Sequence, residues 1–265
     1  MTTKTQKPDA KSTGKTAGHL IAVASGKGGV GKTWFSITLS HALVKQGKKV
    51  LLFDGDFGLA NIDVQLGLMA KRDLNDVIEG NLGLEHVVEH YADGGFDVVA
   101  GRSGHGSLSS LPLERLNTLL KQICNIVPKY DAVIIDLGAG IDRTVRFVAA
   151  ATDTTIIVTT DEPTALTDAY ALIKLSHAAG HGDNIKVVIN MAEDHKSGEN
   201  TYNTLLKASK NFLKLSPPLI GIIRQDKRVK DAIRAQTPYL TRSPNTETAG
   251  DIEKIAKAVS ENILV

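Results

Sequence analysis

The chain has a single cysteine, Cys124, so no internal disulfide can form, and such a sequence suits a reducing compartment. Cys124 lies among apolar neighbours between Leu116 and Val127 and is expected to be buried and inert. No apolar run approaches the roughly 18 residues of a membrane span, and the polar N-terminus lacks the apolar core of a secretory signal. A cytoplasmic location is expected. Neither a repeat of fixed period nor an internal linker divides the sequence. There is also little net charge, only +2 overall, but what there is lies unevenly. Residues Met1–Gly18 carry Lys4, Lys7, Lys11 and Lys15 against Asp9, and Lys207–Arg242 holds nine basic residues against Asp226 and Asp231. The remainder is acidic. The second basic stretch is a candidate contact for DNA or an anionic membrane if its side chains face one way.

What is present is enough for one substantial core: 265 residues, 42% of them hydrophobic and 23% charged. Met1–Gly18 is rich in Thr, Lys, Ser and Gly, has almost nothing to bury, and reads as a disordered tail (1–18) before one domain (19–265). From Leu20 onward, short runs rich in Val, Ile and Leu alternate with longer segments of helical period. The runs are Leu20–Ala24, Val50–Asp54, Phe96–Ala100, Ala132–Asp136, Thr155–Thr159, Ile185–Asn190 and Leu219–Ile223. They lack polar alternation, as strands covered on both faces by crossover helices do. The expected fold is α/β, a doubly wound and mostly parallel sheet flanked by helices.

Gly26-Lys27-Gly28-Gly29-Val30-Gly31-Lys32-Thr33 matches the P-loop pattern GxxxxGK[ST] in full, after one expected strand and before an expected helix. Glycines let successive backbone N–H groups point at phosphate oxygens, and the helix N-terminus adds partial positive charge. Lys32 would reach the β- and γ-phosphates and the Thr33 hydroxyl would ligate Mg²⁺; Trp34 follows directly. A second metal-side acid is needed on a neighbouring strand, and Asp136 ends the run Ala132–Asp136. Gly138 and Gly140, just beyond, would let the backbone approach a γ-phosphate and move when it leaves.

Lys27, directly after the first glycine, makes the loop resemble the deviant Walker A motif of the MinD/ParA ATPases, and the resemblance extends over Leu20–Val265. It implies ATP/ADP and Mg²⁺ as cofactors and an ATP-dependent homodimer, with Lys27 reaching across the interface to the partner's nucleotide. Phe53–Asp63 resembles the family's switch I segment, which implies that Asp56 orients the attacking water beside the metal-side Asp54. The competing assignment makes Asp54 the catalytic group and Asp56 a loop cap. The resemblance also assigns Asn190 to the adenine edge and Asp168 to the interface as a partner of Lys27. Asp136–Ile141 and Glu162–Lys174 look more like the FlhG (FleN) branch, the regulators of flagellar number, than like MinD.

That branch implies an ATP-hydrolysing switch that sets the placement or number of a cellular structure, with recruitment to membrane or pole. Nothing in Met1–Gly18 matches the DQAxxLR-like helix with which FlhG proteins typically begin. Asp251–Val265 sets Ile252, Ile255, Ala256, Val259, Ile263 and Leu264 on one face without aromatics or basic excess, and reads as a helix packed on the domain rather than a membrane anchor. Other classes are a nucleoid-binding ParA-like partition ATPase and a metabolic P-loop enzyme, which needs an acceptor pocket. An iron–sulfur carrier of the related scaffold family would need a CxxC pair that a chain with Cys124 alone does not have.

Overall fold

The computed structural model describes residues 18–69, 72, 74–101 and 112–264. The expected tail at 1–18 lies outside these except for Gly18. In chain order the elements are β1 (His19–Ser25), α1 (Lys32–Lys45), β2 (Val50–Gly55), α2 (Ile62–Leu66), α3 (Leu74–Ile78), β3 (Glu89–Tyr91), β4 (Phe96–Val99) and α4 (Leu113–Ile126). There follow β5 (Ala132–Ala139), α5 (Arg143–Ala150), β6 (Thr154–Thr159), α6 (Pro163–Ala178), β7 (Ile185–Ala192), α7 (His195–Leu213), β8 (Leu219–Arg224), α8 (Arg228–Arg234), α9 (Tyr239–Arg242) and α10 (Glu247–Asn262).

All eight strands form one sheet of order β3-β4-β2-β5-β1-β6-β7-β8, parallel except for the antiparallel β3–β4 pair. Each expected apolar run is a strand. Because successive residues point to opposite faces, each strand feeds two cores. Ala22 and Ala24 face the one that holds Leu116, Val145, Leu172 and Leu205, while Ile21 and Val23 face the one that holds Phe35, Leu39, Ile252 and Val259. One layer is therefore built on α3–α7 and the other on α1 and α8–α10.

The end of the chain is packed, as its pattern implies: Ile252, Ile255, Ala256, Val259 and Ile263 are all buried. Each large apolar side chain among them contributes about 1.5–3 kcal/mol. Thr246 starts α10 by accepting from the Ala249 N–H at 3.1 Å. Cys124 corrects the expectation of burial. In α4 the buried stripe is Leu116, Leu119, Leu120, Ile123 and Ile126, and Cys124 falls one residue off it and is exposed.

Buried polar groups make the stability depend on pH. His41 of α1 is buried, and its Nδ1 has no partner among the described residues. Burial, assisted by the Lys45 ammonium, holds its pKa below the ordinary 6.5. His19 shifts the same way by burial, against the pull of Asp153. The unfolded chain thus takes up protons that the folded state refuses. The histidine contribution to stability is full above pH 6.5 and falls as the pH drops towards the depressed folded values, whereas buried Asp54, whose folded pKa is raised to about 7, adds stability over the same descent. Between pH 7.5 and pH 5 the thermal midpoint of His41→Leu should therefore change more favourably than that of the wild type, the gap opening as the pH falls below 6.5. The same pH dependence in both proteins would remove His41 as a cause.

Candidate nucleotide-binding site

The functional side chains collect at the carboxyl ends of the central strands, where a doubly wound sheet leaves its crevice. β1 runs into the loop Gly26–Thr33, β2 ends at Asp54 and Gly55, β5 passes through Asp136, and β7 through Asn190. The register sets Asp54 beside Asp136 and Val23 beside Asp136 on the neighbouring strands. Gly29 and Gly31 hold φ of +83° and +84°, which other residues adopt only under strain. Gly31 admits no side chain in any case, since a Cβ there would strike the Asn190 amide.

Lys32 is buried, and its Nζ lies 3.0 Å from Asp136 Oδ1. The Thr33 hydroxyl donates to Asp136 Oδ2 at 2.7 Å, and the Ser36 hydroxyl, one turn along α1, donates to Oδ1 at 2.7 Å. Ser36 lies outside the P-loop pattern, and only its i+3 spacing from Thr33 could have pointed to it. Asp54 is 1% exposed and its carboxylate accepts from the N–H groups of Asp56, Asn61 and Ile62. Burial first, and the Asp136 charge second, push its pKa up to about 7, against those hydrogen bonds and the Lys32 ammonium. Two buried carboxylates with a hydroxyl beside them form a hard oxygen donor set that suits Mg²⁺. The repulsion that raises Asp54 is what a bound cation relieves.

Asp56 differs from Asp54. It is only half-buried and lines the cleft. Its Oδ1 accepts from the N–H groups of Gly58 (3.3 Å) and Leu59 (3.0 Å). Gly138 of β5 faces it closely, for a Cβ there would come within 3.4 Å of Oδ1. Lys27 stands at the rim, one third exposed, on the carboxylate of Glu162 and 2.7 Å from the Thr164 hydroxyl. Asp168 packs its backbone and Cβ against Gly26, the residue before Lys27. Within one copy of the chain Lys27 is held by Glu162 and Thr164.

The cleft measures about 690 Å³ and runs from Gly28, Lys32 and Thr33 past Asn190 and Met191 to Arg224 and Lys230. That is a volume typical of small-molecule sites. Buried Asn190 donates from Nδ2 to the Val30 carbonyl at 2.8 Å, which ties it to the P-loop as well as to the cleft. Trp34 lines the cleft too, 5.4 Å edge-to-face from Tyr239. The basic stretch 207–242 is broken up: Arg224 pairs with Asp251, Arg228 with Asp226, and Arg234 with Asp231. Among the described residues no helix is long and apolar enough to cross a membrane.

Comparison with known proteins bears on this geometry. Residues 21–239 match the family described as CobQ/CobB/MinD/ParA nucleotide binding domain. The chain is 38% identical over 242 residues to the antiactivator FleN of Pseudomonas aeruginosa, covering 91% of this chain and 86% of that protein. It is 33% identical over 239 residues to the flagellum site-determining protein YlxH of Helicobacter pylori, covering 89% and 80%. The fold is that of the septum site-determining protein MinD of Pyrococcus horikoshii, solved in complex with Mg-ADP, with a TM-score of 0.74 at 24% identity over 93% of this chain and 98% of that one. Carrying a complete P-loop on this sheet, and matched by family and relatives over most of its length, the chain belongs to the MinD/ParA family of P-loop nucleotide-binding proteins.

Proposed function

We propose that this chain is a Mg²⁺-dependent ATPase that works as an ATP-switched homodimer and sets the placement or number of flagella. One observation carries the reading. Lys32, Thr33 and Asp56 line a single cleft, buried Asp136 holds Lys32 and Thr33 from beneath it, and Lys27 stands one third exposed beside the loop. The chemistry divides among them. The P-loop N–H groups and Lys32 bind the phosphates, and Thr33 and Asp136 hold the cation, with Asp54 beside them. Mg²⁺ held there would supply charge neutralisation to the phosphates. Asp56 orients a water in line with the γ-phosphate, and Lys27 of a second copy reaches the same phosphates. Asn190 reads the adenine edge. Asp168 stays close to the P-loop and is assigned to the interface.

The flagellar part rests on the relatives FleN and YlxH, and recruitment from cytoplasm to membrane or pole rests on the family alone. Any contact with DNA or an anionic membrane is assigned to the exposed lysines Lys207, Lys210 and Lys214, which flank exposed Phe212, because Arg224, Arg228 and Arg234 of that stretch are paired. Purified protein should hydrolyse ATP with no acceptor substrate added, and deletion of its gene should change the number or position of flagella. Hydrolysis only in the presence of a small-molecule acceptor would favour a metabolic P-loop enzyme. Unchanged flagella would remove the flagellar assignment and leave the ATPase standing.

A further inference from the structure

Arg224, at the end of β8, lines the cleft, yet its donors turn away from it. Nε lies 2.9 Å from Asp251 Oδ2 and Nη2 3.0 Å from Oδ1, a two-pronged pairing that fixes the plane of the guanidinium. Nη1 lies 2.7 Å from Glu247 Oε1, and Nη2 also reaches the Glu247 carbonyl at 3.3 Å. Asp251 is 1% exposed. A carboxylate so buried is tolerable only when paired on all sides. It takes the Arg224 backbone N–H at 3.2 Å and has His195 Nε2 at 3.1 Å as well. None of these contacts belongs to the phosphate machinery. They hold one side chain.

The position of that side chain matters. Ala192 of β7 pairs with Arg224 of β8, so Arg224 lies on the strand next to Asn190 and Met191, beyond the phosphate-binding loop. Met191, Val229 and Ile233 line the cleft with it and supply apolar surface beside the polar Gln225, Asp226 and Lys230. A guanidinium whose edge donors are occupied has its flat face left to offer, and that face stacks on aromatic rings. We infer that Arg224 presents its guanidinium face to the nucleotide base as one wall of the base slot, with Asp251 and His195 as the positioning residues that hold its plane. The inference rests on the nucleotide reading above and adds a recognition element to it.

A face contact ignores the base edge, so it strengthens ATP and GTP alike, whereas Asn190 acts on the edge and sets the ratio between them. Dissociation constants for Mg-ATP, Mg-GTP and inorganic tripolyphosphate would be measured on the wild type, Arg224→Lys, His195→Ala and Asn190→Ala, with thermal midpoints as a folding control. Lysine keeps the charge and a partner for Asp251 but has no plane. Arg224→Lys should weaken ATP and GTP together by about 5- to 30-fold while tripolyphosphate stays within about twofold. His195→Ala should show the same pattern to a smaller degree, and Asn190→Ala should change the ATP-to-GTP ratio instead. Tripolyphosphate weakened as much as ATP, or ATP unchanged, in Arg224→Lys would overturn the inference. A wild type that binds tripolyphosphate as tightly as ATP would overturn it too and leave the phosphate site intact, whereas a wild type that binds neither would sink the ATPase reading itself.

Discussion

Asp56→Ala is expected to lower single-turnover ATP hydrolysis by on the order of 10²-fold or more while ATP affinity stays within a few-fold, because the residue positions water rather than binding nucleotide. The two neighbouring acids are told apart by their surroundings. Asp54 is 1% exposed, with three backbone N–H groups on its oxygens, so it holds the loop Asp56–Ile62 in shape and stands beside Asp136 on the metal side rather than on the cleft wall. Asp56 uses Oδ1 for the Gly58 and Leu59 N–H groups and lies on the cleft wall. Oδ2 is left for a water. Asp56→Asn separates the two duties, since the amide oxygen still caps the loop while the carboxylate charge is gone. Both variants should stall with ATP bound and accumulate as the dimer. Asp54→Ala should instead lower the thermal midpoint and ATP affinity together. If Asp56→Ala hydrolyses at the wild-type rate and stays monomeric, the water-positioning role belongs elsewhere.

Much of this was legible in the sequence because the signals were local. Seven short runs rich in Val, Ile and Leu announced seven strands, and the eight-residue P-loop carried its own chemistry. β3 escaped because its three residues, half-buried Glu89, exposed His90 and buried Tyr91, lie on a sheet edge and form no apolar run. Ser36 escaped because a serine inside a helix is unremarkable until Asp136, a hundred positions on, is found against it. Cys124 was misplaced for a related reason. An apolar neighbourhood in sequence is not one in space, and helical phase decided its exposure. The basic stretch 207–242 read as one patch only until Asp251, outside it, was seen to pair with Arg224. Pairings between distant residues carry no pattern that spacing can report, and they make up most of what the site added.

The same limit applies to Lys27, whose partners lie 135 and 137 positions away. The proposed reach of Lys27 to a second copy requires it to leave Glu162 and Thr164. Both partners are substantially exposed, with the Lys27 and Glu162 side chains at 33% and 54%. The lysine and then the threonine hydroxyl hold the Glu162 carboxyl below its ordinary range, so the carboxylate is charged at neutral pH. Exposed pairs of this kind, screened by water and salt, contribute little, a factor of about five at most. A γ-phosphate bearing several charges in a water-excluded interface outbids that easily. Lys27→Ala should therefore remain monomeric in both ADP and ATP while retaining nucleotide through Lys32 and the backbone of the loop. Glu162→Gln should do the reverse, and dimerise with ATP at up to about fivefold lower protein concentration because Lys27 is already free. Sizing of the three proteins in ADP and in a slowly hydrolysed ATP analogue reads both effects. An ATP-dependent dimer of Lys27→Ala equal to the wild type would refute the reach across the interface, and a weaker dimer in Glu162→Gln would mean that Glu162 acts in the dimer instead of restraining the monomer.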